Sequence, residues 1–227
     1  MATTLRWLGH ACWLLSTGGK TILLDPFLND SPTAPVKADG VKPDYILVSH
    51  GHFDHVADAA SIAKRTGATI VANYEICEWL GKQGVAKTVA MNLGGNVDLP
   101  FGRVKMTIAH HTSMLPDGSN GGSPCGFLLT LADGKVYFAC DTALYSDMKL
   151  HAAGGLDLAV LPIGDLFTMG PDDALEAVKL LKPGRVVPSH YNTWPPIAQD
   201  AQAWAARVKA ETKCEAVVLE PGGKVTL

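Results

Sequence analysis

A chain of 227 residues with 47% hydrophobic and 18% charged side chains has enough apolar material for a large core without help from disulfides. Its formal net charge of −3 argues against a broad nucleic-acid footprint, which would be basic. No basic n-region leads into a long apolar stretch, because Arg6 and His10 interrupt the N-terminal hydrophobicity, and no run is long enough to cross a membrane. Five scattered cysteines (Cys12, Cys77, Cys125, Cys140 and Cys214) with no Cys-x-x-Cys pair point to free thiols and a cytoplasmic setting.

In chain order, Leu5 to Leu8, Cys12 to Ser16 and Thr21 to Leu24 read as short strands, with Gly9-His10 and Gly18-Gly19 as turns. His10 is either a turn residue bonded to backbone or a member of a site. Asp25-Pro26 ends the third strand, since proline cannot continue a ladder. Asp25 is placed either to orient a ligand histidine from behind or simply to start a turn. A long Pro/Asp/Ser/Ala loop follows from Asn29 to Lys42, and long loops of this kind are often functional.

The apolar run Tyr45-Ile46-Leu47-Val48 reads as a buried strand. It runs straight into Ser49-His50-Gly51-His52-Phe53-Asp54-His55, which sets three imidazoles and a carboxylate in six positions. Crowding such groups without a cation leaves polar atoms without partners, and imidazole with carboxylate suits zinc, iron or manganese. His50 and His52 are two apart, so on an extended backbone both rings project from one face and can hold one ion. Asp54 and His55 come after the turn and can address a second ion.

Asp54 to Arg65 then reads as a helix closed by Gly67, Ala68 to Ala72 as a strand and Glu75 to Lys82 as a helix. Val89 to Leu99 and Val104 to Ile108 read as strands, the second entering His110-His111-Thr112. Adjacent residues of an extended chain face opposite ways, so at most one of His110 and His111 reaches a shared ion. Met114 to Pro124 is either a substrate rim or a loose hairpin tip. Gly126 to Leu131 and Lys135 to Ala139 form a hairpin across Asp133-Gly134, and the second strand stops at Cys140-Asp141.

Leu158 to Pro162 is a strand. Pro171 to Leu181 is a helix, with Pro171 in its first turn and Asp172 and Asp173 complementing its dipole. Arg185 to Pro188 is a strand that runs into Ser189-His190-Tyr191-Asn192, and Ile197 to Lys209 is a helix. Ala216 to Leu219 and Lys224 to Thr226 close the chain as a hairpin. One pattern recurs: histidine or aspartate appears where a strand stops, at His50, His111, Asp141 and His190. In layered α/β folds ligands gather outside such strand ends.

The His50-Gly51-His52-Phe53-Asp54-His55 run, followed by an isolated histidine, an aspartate and a final histidine, resembles the metallo-β-lactamase fold superfamily. Trp7-Leu8-Gly9-His10-Ala11, Leu24-Asp25-Pro26-Phe27, Phe167-Thr168-Met169-Gly170-Pro171 and Pro188-Ser189-His190-Tyr191-Asn192-Thr193 narrow the likeness to bacterial metal-dependent hydrolases of the UPF0173 type. These are similar to ascorbate-6-phosphate lactonase. The resemblance covers nearly the whole chain and implies a single α/β domain over residues 1–227, a four-layer αββα sandwich with its site at one edge between the sheets. By the family's pattern His50, His52 and His111 hold a first metal, Asp54, His55 and His190 a second, and Asp141 bridges both. His111 is preferred to His110 only by that pattern. Phe53 stands where the family commonly has a small residue, which narrows the pocket floor, and Cys140 stands where glycine is usual.

Two divalent ions of this kind share a water and bring its pKa to roughly 7, and the hydroxide attacks a small ester, lactone or phosphodiester. Zinc is the default metal, with manganese and iron as alternatives. Asp54 is the candidate proton acceptor, and His10, Tyr191 and Asn192 are candidates for substrate contact or charge stabilisation. The alternative functions are an RNA-processing nuclease of the same fold and a non-enzymatic metal or metabolite sensor. His52 argues against a flavodiiron-type oxygen reductase, and Asp141 in place of a cysteine ligand argues against a broad-spectrum β-lactamase. The expected partner is a small-molecule substrate, with no nucleic acid and no membrane, and a homo-oligomer is left open.

Overall fold

Short runs of apolar residues punctuated by glycine, proline and aspartate give a chain of short strands. In the computed structural model, which describes residues 2–227, they are β1 (Thr4–Trp7), β2 (Trp13–Thr17), β3 (Lys20–Leu24) and β4 (Tyr45–Leu47). Helices α1 (Phe53–Val56) and α2 (Ala59–Thr66) follow, then β5 (Thr69–Asn73), α3 (Tyr74–Lys82) and β6 (Thr88–Met91). The second half holds β7 (Asn96–Leu99), β8 (Gly102–Ile108), β9 (Cys125–Leu131), β10 (Gly134–Phe138) and β11 (Leu158–Pro162). It ends with α4 (Pro171–Leu181), β12 (Arg185–Ser189), α5 (Ala201–Glu211), β13 (Glu215–Ala216) and β14 (Lys224–Thr226).

The strands form two sheets of seven, ordered β14-β1-β2-β3-β4-β5-β6 and β13-β12-β11-β10-β9-β8-β7. Each is an antiparallel meander that continues into parallel strands: β3, β4, β5 and β6 in the first, β10, β11, β12 and β13 in the second. Side chains alternate across each strand, so Ile22 and Leu24 enter a core with Trp13, Phe127 and Phe138 between the sheets. Leu23 faces the other way, into a second core with Ile62, Ile76 and Leu80 of α2 and α3. Leu175, Val178 and Trp204 of α4 and α5 extend the inter-sheet core on the far side. Truncating a fully buried ring such as Trp13 to alanine costs about 3–5 kcal/mol.

Strand direction decides where the site lies. Because β2 is antiparallel to both β1 and β3, the ends of β1 and β3 open at one edge, and parallel pairing adds β4. By the same logic β8 and β10 both oppose β9 and stop at one edge, where parallel pairing adds β11 and β12.

Several elements depart from the sequence reading. The helix expected over Asp54 to Arg65 breaks between α1 and α2, because the Asp58 backbone N–H donates to the Pro26 carbonyl instead of to the preceding turn, while its carboxylate accepts from the Leu28 and Asn29 N–H groups and the Asn29 amide. The strand expected over Val89 to Leu99 is two strands, β6 and β7, on the edges of different sheets; the turn between them carries Gly94 at φ 83°. The closing hairpin is not formed, since β13 pairs with β12 and β14 with β1. Helix α5 starts late, where Asp200 caps it by accepting from the Ala203 N–H. The Met114 to Pro124 stretch is a tight hairpin bound through the Asn73 amide to the Gly121 and Ser123 carbonyls and through the Trp79 indole to Asp117. It leans on α3 and does not line the cleft at the strand-end edge.

Candidate metal centre

Both sheets deliver their strand-end residues to one edge. From the first come His10 after β1, Asp25 after β3 and the run Ser49 to His55 after β4, with Asp54 and His55 on the short helix α1. From the second come His111 after β8, Asp141 after β10 and His190 after β12. His10, Asp25, Cys140 and His190 sit at φ 51°, 45°, 53° and 54°, a region that non-glycine residues rarely adopt and that clusters at functional sites. The φ of Cys140 accounts for the glycine that the family pattern favours there. Gly164, after β11, passes so close to the His190 carbonyl that a Cβ would overlap it.

The donor atoms fall into two triads. His50 Nε2 lies 3.0 Å from His52 Nδ1, which lies 3.3 Å from His111 Nε2. Asp54 Oδ2 lies 3.9 Å from His55 Nε2 and 4.0 Å from His190 Nε2. Between them stands Asp141, whose Oδ2 is 3.0 Å from His190 Nε2, 3.3 Å from His55 Nε2, 3.6 Å from His111 Nε2 and 3.9 Å from His50 Nε2. All seven side chains singled out from the sequence as metal ligands therefore converge. His110 is exposed and packs against Tyr145 instead, so the structure turns His111 toward the cluster and His110 away.

Asp25 sets the direction of two rings. Fully buried, it accepts from the Ser49 N–H at 2.7 Å, the Ser49 hydroxyl at 2.6 Å and His55 Nδ1 at 2.9 Å. The Ser49 proton is thereby used, so Ser49 Oγ accepts from His50 Nδ1 at 2.9 Å. Each ring thereby turns its Nε2 to the cluster, one in each triad, and in the neutral ring that nitrogen is the unprotonated one, which is how an outer partner orients a metal ligand. Asp25 thus takes the orienting role, one of its two sequence readings.

His10 is fully buried and touches no cleft surface. Its Nε2 is 3.0 Å from Asp54 Oδ2 and its Nδ1 is 2.7 Å from Thr193 Oγ1. An ionised carboxylate only accepts, so His10 donates to Asp54 and accepts from Thr193. This corrects its expected substrate contact: it holds the Asp54 carboxylate from behind. Two further expectations change. Tyr191 stacks on Trp7 at 5.3 Å and Asn192 caps the Gln199 N–H, and both line a groove behind the His190 loop, outside the metal cleft. Phe53, expected to narrow the pocket floor, stands 55% exposed on its wall. The sequence gives Ser49 and Thr193 no role of their own, because a lone hydroxyl carries no ligand signal.

The electrostatics fit a cation. Burial opposes ionisation of Asp141, yet His190 and His55 beside it hold its carboxyl well below the usual range. Burial likewise opposes ionisation of Asp54, but His55 and the His10 hydrogen bond hold it low. His10 is pushed down to about 3, by burial and then by His190. Burial also lowers His50, His52 and His111, so these rings stay neutral and keep a lone pair for a metal. His55 alone is driven up, because Asp141, Asp54 and Asp25 outweigh its burial. Among the described residues, buried Asp141 Oδ1 has no hydrogen-bond partner, and His55 Nε2 and His190 Nε2 approach Asp141 Oδ2 without hydrogen-bond geometry, which is costly unless something else satisfies them. A metal cation would supply the missing partner, and the donor set of imidazole and carboxylate suits zinc, manganese or iron.

The cleft over the cluster has a volume of about 460 Å³ and is lined on its far side by Phe53, Phe167, Trp194, Pro196 and Ile197. No helix among the described residues is long and apolar enough to cross a membrane.

Comparison with known proteins gives a consistent picture. Residues 20–191 match the family model described as the Beta-lactamase superfamily domain. The chain is 49% identical to a UPF0173 metal-dependent hydrolase of Heliobacterium modesticaldum, over 96% of this chain and 95% of that one. It is 48% identical to another from Thermus thermophilus, over 96% of each. Among solved structures it is similar to Igni18, a metallo hydrolase of the hyperthermophilic archaeon Ignicoccus hospitalis, with a TM-score of 0.91 and 32% identity, covering 100% of this chain and 99% of that one.

Proposed function

Because the chain belongs to the beta-lactamase superfamily and, within it, to the UPF0173 metal-dependent hydrolases, we propose that its hydrolysis runs on two divalent ions and cleaves a small ester, lactone or phosphodiester. One observation carries the reading: two separate donor triads share a single carboxylate oxygen, Asp141 Oδ2. His50, His52 and His111 would hold one ion, Asp54, His55 and His190 the other, and Asp141 would touch both. When bound, such ions supply Lewis acidity toward the substrate oxygen and an acidified water as nucleophile.

The protein's own groups do the rest. Asp54 would take the proton of the attacking water, and the His10 Nε2–H supports that carboxylate in its ionised form. Asp25 and Ser49 hydrogen-bond His55 Nδ1 and His50 Nδ1, which would leave each Nε2 to the ions. The water oxygen ends on the acyl carbon or phosphorus, and the proton ends on the departing alcohol oxygen. The cleft lining contains no lysine or arginine, which leaves the RNA-nuclease alternative without the cationic contacts that such binding rests on.

The test is metal analysis of the purified protein followed by a panel of esters, lactones and phosphodiesters. Metal bound near two equivalents and turnover that His50→Ala abolishes are expected. Fully loaded protein that turns over no member of the panel faster than His50→Ala overturns the reading.

A further inference from the structure

We infer that the substrate is an uncharged carboxylic ester or lactone bearing an apolar chain or ring, seated on the wall formed by Phe53, Phe167 and Trp194; the inference rests on the hydrolase reading above and narrows it. The volume of the cleft, about 460 Å³, falls within the range of small-molecule sites. Its donor atoms lie at one end, so a reacting carbonyl belongs there and the remainder of the molecule must extend along the wall.

That wall is apolar and open. Phe53 is 55% and Phe167 58% exposed, and Leu166 beside Phe167 is 66% exposed. Apolar surface gathered in a concave site and left in water marks a place that a ligand covers. The rings are also held in place. Phe53 meets Phe27 edge-on at 5.8 Å and 87°, and Trp194 lies 6.1 Å from Phe53 and 5.8 Å from Phe27. The turn that presents Phe167 is fastened by Asp165 N–H to the Met169 carbonyl at 3.1 Å and by Met169 N–H to the Thr142 carbonyl at 3.0 Å. A preset apolar surface loses little freedom when it binds.

Charge along the wall argues against an anionic tail. The lining offers Asp54 and Asp141 as its ionised groups and no lysine or arginine. A phosphate or carboxylate on the tail of the substrate would shed water along this wall without meeting a cationic partner. An uncharged tail gains from the same surface. In the reaction the ester C–O bond breaks and the water oxygen bonds to the acyl carbon. One water proton passes to the alcohol, and the acid product releases its own proton to solvent.

The experiment uses metal-loaded protein and p-nitrophenyl acetate, butyrate and hexanoate, with the anionic hemisuccinate as the charged comparator. Burial of about 0.8 kcal/mol per methylene corresponds to roughly fourfold in kcat/KM for each one seated on the wall. The expected result is a rising series, the hemisuccinate falling below the butyrate. Phe53→Ala and Phe167→Ala should flatten the slope, and Phe167→Leu, which keeps apolar surface, should retain it. A second readout needs no turnover: calorimetric titration with acetophenone, butyrophenone and hexanophenone, whose Kd should tighten with chain length in the wild type and not in Phe167→Ala. A flat ester series, preference for the hemisuccinate, or ketone affinities independent of chain length overturns the inference. Ketone affinities that climb while no ester is hydrolysed would sink the ester chemistry and leave the apolar wall standing.

Discussion

In the half of the molecule that ends with β6, the site residues come as a local cluster. His50, His52, Asp54 and His55 share one loop and one short helix, with Asp25 and His10 from neighbouring strand ends behind them. In the half that begins with β7, His111, Asp141 and His190 arrive one at a time from β8, β10 and β12. The first half orients its donors by side-chain hydrogen bonds, as Asp25 does for His50 and His55. The second has little such support: Asp141 Oδ1 and His190 Nδ1 have no partner. There the backbone sets position, through the left-handed φ of Cys140 and His190 and the close pass of Gly164. The halves are joined at the His10 carbonyl, which accepts from Trp7 Nε1, His190 N–H and Ser189 Oγ at 2.9, 3.1 and 3.0 Å. One edge is thus built by two means, bonded side chains and strand geometry.

Asp141→Asn should break the site most completely, because Asp141 faces nitrogens of both triads. Metal should fall in both positions together, and activity should fall beyond the about 10–100-fold typical of losing an outer partner. Metal analysis after dialysis, with activity on the same sample, makes the check; retention of one full equivalent would mean that the halves bind metal independently.

Asp25→Ala tests the bonded half. It strips the partner of His55 and, through Ser49, of His50, and is expected to weaken metal affinity about 10–100-fold. It also leaves the buried Ser49 and His55 donors unsatisfied, at about 1–3 kcal/mol by urea unfolding. Thr193→Val, across the seam, removes only the partner of His10 Nδ1. Its effect should be smaller in both measurements, and equal losses would show that the two halves share one scaffold.

The same contrast governs what the sequence discloses. The His50 to His55 run is legible because its chemistry is contiguous, and most strands are legible because turn residues frame apolar runs. His111, Asp141 and His190 are each one polar residue after a strand, and only their common position and the family likeness single them out. The turn at Asn92 to Gly95 carries a signal, the Gly94-Gly95 doublet, but the change of sheets across it depends on the pairing of β6 with β5 and of β7 with β8, which local sequence does not encode. The fates of β13 and β14 depend on pairing with β12 and β1, which local sequence does not encode. Thr193 and Ser49 matter only for what they face, and the aromatic wall draws Phe53, Phe167 and Trp194 from the start of α1 and two distant loops.

The smallest effect is expected at Tyr191, although it adjoins His190 in sequence. After a residue at φ 54° the chain turns, so consecutive side chains leave on different sides of the loop. His190 enters the cluster, and Tyr191 goes back against Trp7, stacked at 5.3 Å and 17° and 95% shielded. Burial, with Glu220 nearby, pushes its hydroxyl up to about 12, so it stays protonated at neutral pH. Among the described residues the hydroxyl has no hydrogen-bond partner to lose, and the ring surface that supports Trp7 remains in phenylalanine. Tyr191→Phe should therefore leave kcat/KM within about twofold and metal content unchanged, with stability inside the ±0.5 kcal/mol of a neutral substitution. A tenfold fall in kcat at constant metal content would return the hydroxyl to the reaction and mean that the loop after β12 swings to present it.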